Sequence, residues 1–144
     1  MKKLKFISLV LLCICIAPLQ VTAGDFDGKK PLLCATIKTI ECGDAGDCQQ
    51  GGAESINVPQ FFTIDFKKKS ISGIRPSGEA LNSKIERMEH VDGKLILQGA
   101  EDGVEGVRDG VGWSMAIAED TGKMVLTASG DQVGFVVFGA CTLD

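Results

Sequence analysis

The stretch from Gln132 to Thr142, QVGFVVFGACT, constrains the fold more than any other part of this chain. Val133, Phe135 and Val137 alternate with Val136, Phe138 and Ala140, so a strand here is apolar on both faces. Such a strand is expected to be covered on both sides or to lie deep within a sheet. It ends in Cys141, and every other cysteine lies at position 48 or earlier. A disulfide from Cys141 therefore staples the last strand to a segment near the start of the folded chain.

The first residues read as an address rather than as structure. Lys2, Lys3 and Lys5 form a basic leader, an apolar run extends from Phe6 to Ala17, and Pro18 breaks it. Val21-Thr22-Ala23 then places small or β-branched residues where a signal peptidase cuts. The apolar run, about a dozen residues, is too short for the roughly 30 Å of hydrocarbon in a bilayer. The expectation is a cleaved secretory signal over 1–23, which takes Cys13 and Cys15 with it, and an exported domain over 24–144. Its destination is the periplasm or the outside of the cell.

Loss of residues 1–23 removes three lysines and no acids, moving the formal charge from −4 to −7. An acidic chain of this kind argues against nucleic acid and anionic membrane surfaces as partners. No later segment is long and apolar enough to span a membrane as a helix. Cys34, Cys42, Cys48 and Cys141 remain, an even number in a small exported chain, which reads as disulfides. Three pairings are open. Gly43-Asp44-Ala45-Gly46-Asp47 is a turn-rich loop that brings Cys42 to Cys48, leaving Cys34 for Cys141. Four thiolates can also hold zinc, but there is no CxxC pair here and an oxidising compartment favours bridges.

Along the chain, Leu32–Glu41, Gln60–Phe66 and Ser70–Ile74 alternate as strands. Gly73–Asn82, with Pro76 and Gly78, reads as a longer connection. Lys84–Val91 is ambiguous in period, yet it leads into Asp92-Gly93, a tight-turn signal, so it is read as a bulged hairpin arm returning through Leu95–Gly99. Ala100–Gly112 is an acidic, glycine-rich loop. Trp113–Ala118, Met124–Ala128 and the final stretch complete about eight strands. The expected fold is all-β, a small antiparallel meander closed into an eight-stranded barrel and stapled by disulfides, with a two-sheet sandwich as the alternative.

The run PLLCA (Pro31 to Ala35), the CGDAGDC loop, VPQFFTIDF, KLILQG, GWS and FVVFGACT together resemble a group of small exported bacterial proteins with paired cysteines. The resemblance implies export and disulfides. It supplies no activity and no site residues.

Catalytic signals are thin. Gly112-Trp113-Ser114-Met115-Ala116 approaches a G-x-S-x-G nucleophile elbow, but that motif needs a strand-to-helix turn and the pattern here continues as a strand. His90, the single histidine, precedes Ser114, against the serine–acid–histidine order of such hydrolases. His90 beside Glu89 reads as a polar residue near an exposed turn. No catalytic residue, metal ligand or cofactor is assigned. Glu101, Asp102, Glu105, Asp109 and Trp113 are the candidate binding loop. The acids offer hard oxygens of the kind calcium takes, although their spacing is not that of an EF-hand. Trp113 alternates with Met115 and Ile117, which favours the core. Phe62, Ile64, Phe66, Leu95, Leu97, Trp113, Met115, Leu126 and Phe135, all pointing inward, would largely fill an eight-stranded barrel. The expected function is non-catalytic binding of another exported protein or an envelope component through surface loops. The alternative is a small molecule or calcium held at the mouth formed by the 100–112 loop.

Overall fold

The computed structural model describes residues 25–103, 106, 107 and 109–144. The expected signal segment lies outside the described residues, as do Glu105 and Arg108 of the acidic loop. Ten strands form: β1 (Leu32–Gly43), β2 (Cys48–Gly51), β3 (Phe61–Asp65), β4 (Ser70–Ile74), β5 (Ala80–Lys84), β6 (Arg87–Val91), β7 (Lys94–Glu101), β8 (Val111–Ala118), β9 (Lys123–Gly130) and β10 (Val133–Leu143). A single 3-10 turn, Ala53–Ile56, is the helical piece among the described residues. The all-β expectation holds.

The strands make one antiparallel sheet in the order β5-β4-β3-β1-β10-β9-β8-β7-β6, with β2 also paired to β1, and the sheet curls into a half-barrel. Its ladders end at β5 and at β6, so they do not by themselves complete the closed, eight-stranded ring expected from the sequence. These two edges are consecutive in the chain. The backbone turns between them at Ile85-Glu86, where the Ile85 N–H donates to the Lys69 carbonyl and the Glu86 N–H to the Gln98 carbonyl, both at 2.8 Å. Gln98 is also the register partner of Arg87, so two residues face one, the bulge expected in this arm.

Two strands carry no local strand signal in the sequence. In β2, Cys-Gln-Gln-Gly has no apolar alternation, and it pairs because Cys42 and Cys48 sit opposite each other across the hairpin and are bonded. In β5, Leu81 and Ser83 are the inward residues of ALNSK, too few to show a period.

Both disulfides have the expected connectivity, Cys34–Cys141 and Cys42–Cys48. Cys34 and Cys141 face each other in the β1–β10 ladder and are buried against Leu32, Ile64 and Met124. The inner face carries the core: Leu32, Ile64, Leu95, Leu97, Met115 and Ile117 have no exposed surface. Phe26, from the lead-in that shows no pattern in sequence, packs against this core and against Gly122 at one end of the curl.

Between β5 and β7, where no ladder runs, side chains bridge the seam. The Trp113 indole N–H donates to the Ser83 hydroxyl at 2.9 Å in a buried contact. Arg75, just after β4, donates to Glu101 at the end of β7 at 2.8 Å. Gly99 lets the Lys84 carbonyl and the Trp113 ring approach its backbone, and a Cβ there would strike both.

Candidate functional site

The last strand lies deep within the sheet, as its two-faced apolar run leads one to expect, at the centre of the strand order between β1 and β9. Val137, Gly139 and Cys141 of β10 are buried on the inner face, while on the outer face Val136 and Ala140 are half-buried and Phe138 is 39% exposed. Among the described residues that outer face is only partly covered.

Neighbouring strands extend the outer face. Ala140 pairs with Ala35 of β1, which pairs with Phe61 of β3, while Ile74 of β4 pairs with Ala80. On the other flank Phe138 pairs with Val125, which pairs with Ala116, and that residue with Ile96. Side chains alternate across a strand, so these residues share the outer surface. Six of the nine large hydrophobic side chains exposed among the described residues lie on these central strands: Leu33, Ile37, Phe61, Ile74, Val125 and Phe138. Ile37, Phe61 and Ile74 are the most prominent, at 68%, 61% and 63% exposure. Scattered apolar residues are ordinary on a surface, whereas contiguous patches mark contact sites.

Ile37 owes its position to the backbone. The β1–β10 register passes from Thr36↔Gly139 to Lys38↔Phe138 and skips Ile37, a bulge where β1 leaves β3 and takes up β2. The Thr36 N–H donates to the Gln60 carbonyl and its hydroxyl to the Pro59 carbonyl, both at 2.9 Å, while the Gln60 amide donates to the Thr36 carbonyl. Thr39, beyond the bulge, donates to the Gly52 carbonyl at 2.9 Å. A bulge fixed on both sides in this way re-aims one side chain, and here that side chain is an isoleucine pointing at solvent. Beside it, Leu33, Phe61, Thr63, Ser72 and Ile74 line a shallow hollow of about 380 Å³.

Charge in the middle of this face is one-sided. At the outward positions of β1, β10, β9 and β8, Lys38 and Lys123 are the charged residues, while β3 adds the outward Asp65, which is held by Lys68 at 3.3 Å. Neither ammonium has an ion-pair partner among the described residues. The acids gather at the strand ends instead, at Asp44 and Asp47 beyond β1 and at Glu119 and Asp120 between β8 and β9.

The loop residues marked in the sequence are not drawn into one cluster. Glu101 is turned to Arg75 across the seam, Asp102 is exposed, and Asp109 packs onto Gly103. Trp113 is 7% exposed and belongs to the core. Among the described residues no three His, Cys, Asp or Glu side chains are placed to hold a metal ion. Ser114 lies mid-strand in β8, which runs on into a hairpin, so the G-x-S-x-G segment does not take the elbow shape. His90 meets Glu119 at 2.6 Å, whereas Glu89 pairs with Arg87.

The outer face was partly legible. Phe61-Phe62 and Leu32-Leu33 are apolar doublets inside strands, and a strand must send one member of each outward. No family model, curated protein or solved structure matches the chain.

Proposed function

We propose that this chain is exported, sheds residues 1–23, and serves as a non-catalytic domain that binds another exported protein or an envelope component through its surface. One observation carries the reading: an apolar outer face built from Leu33, Ile37, Phe61, Ile74, Val125 and Phe138 on the disulfide-locked part of the sheet. The two bridges suit an oxidising compartment, which supports export. The contact surface favoured by this geometry is the sheet face rather than the loops, since the sheet supplies both the apolar area and the rigidity. The inner face, by contrast, is occupied by its own side chains.

The test is a photo-cross-linking phenylalanine analogue placed in the native host, in turn at Phe61, at Phe138 and at Asp102. Adducts from positions 61 and 138 but not 102 are expected. Adducts from 102 alone would return the function to the loop, and an absence of adducts from all three would count against surface binding.

A further inference from the structure

Resting on that surface reading, we infer that the outer face takes a narrow, amphipathic protein segment that carries carboxylates beside its apolar side chains. The apolar side chains at Phe61, Ile74, Ile37 and Phe138 call for an apolar occupant. Lys38 and Lys123, without an ion-pair partner among the described residues of a chain of 19 acids and 15 bases, call for an anionic one.

The same charges discriminate among occupants. A second copy docked face to face would set lysines against lysines, and the carboxylate its β3 brings, Asp65, is already held by Lys68. A bilayer of anionic lipid is a broad plane, and it would also meet the acids at both ends of the strands, Asp44 and Asp47 at one and Glu119 and Asp120 at the other. A segment one strand or one helix wide, lying along the apolar stripe, meets the lysines without spanning the acids at both ends of the strands.

The experiment uses the folded, oxidised protein and two synthetic peptides, one of alternating leucine and glutamate and one of alternating leucine and lysine. Binding is read by calorimetry and located by amide chemical shifts. The acidic peptide is expected to bind at least about ten-fold more tightly than the basic one and to shift amides around Phe61, Val125 and Phe138. The pair Lys38→Glu and Lys123→Glu, on exposed side chains, should invert that preference. The pair Phe61→Ser and Ile74→Ser should weaken the acidic peptide by a similar factor. Loss in the serine variant with no response to the lysine reversals would leave surface binding standing and overturn the charge inference. Shifts confined to residues 100–112 would overturn both. Preferential sedimentation with phosphatidylglycerol vesicles, or dimerisation abolished by the serine pair, would replace the segment with a membrane or a second copy.

Discussion

The two sides of the curled sheet are held together by different means. Along β1 and β10 the chain is joined by a long ladder from Leu32↔Leu143 to Gly43↔Val133, with a buried disulfide in the same core cluster as Ile64 and Met124. At the seam beyond β5 there is no ladder, and Trp113–Ser83, Arg75–Glu101 and the close approach at Gly99 do the joining. The first arrangement restricts the unfolded chain as well as ordering the folded one. The second depends on the fit of a few side chains. A surface meant to present exposed apolar groups without collapsing onto them belongs on the first.

Breaking the sulfur link should have the largest effect. The chain-entropy model assigns about 5 kcal/mol to a closure of 107 residues and about 2 kcal/mol to one of 6. Replacing Cys34 and Cys141 by alanine should therefore destabilise the protein far more in denaturant unfolding than the same change at Cys42 and Cys48. Equal losses would remove the asymmetry between the two sides.

At the seam, Trp113→Phe keeps much of the ring but leaves the buried Ser83 hydroxyl without its donor. A loss of about 1–3 kcal/mol is expected, and a double-mutant cycle with Ser83→Ala should show coupling between the two. Gly99→Ala should cost about 1–3 kcal/mol, because the new methyl meets the Lys84 carbonyl, a backbone atom that moves only if the seam opens. Its signature should be faster exchange around β5 with β10 unaffected.

The smallest effect expected is at the β3–β4 turn. The Lys68 backbone N–H, donating to Asp65 at 3.0 Å, holds that carboxyl below its usual value. Because the folded state lowers this pKa, its stabilisation is present above about pH 4 and fades as pH falls through the lowered value. Asp65→Asn should flatten that acid-side slope slightly and change little at neutral pH.

Sequence reasoning reached the sulfur-locked side more fully than the seam, and the reason is physical. The β1–β10 contact is written in residues with a strong local signature, two cysteines and a run of alternating apolar side chains. The seam is written in a serine, a glycine and a backbone bend, and their significance lies in what stands across from them. Lys84–Val91 has no clear period because it runs from the last residue of β5 through the Ile85-Glu86 bend into β6, and the two strands pair with different neighbours. The alternation of Trp113 points to the core, but its hydrogen bond to Ser83 spans 30 residues and leaves no local trace. The depth of β10 within the sheet is legible in its run of apolar residues, whereas the exposure of Phe138 is not, because apolarity alone does not say which face is covered.

Residue-resolved hydrogen exchange on the oxidised protein tests the central contrast most directly. Amides of β1 and β10 around Thr39 and Val137 should exchange only through global unfolding, while those from Ser83 to Glu86 open at distinctly lower free energy. Equal protection on both sides, or earlier opening beside the Cys34–Cys141 bridge, would contradict the account.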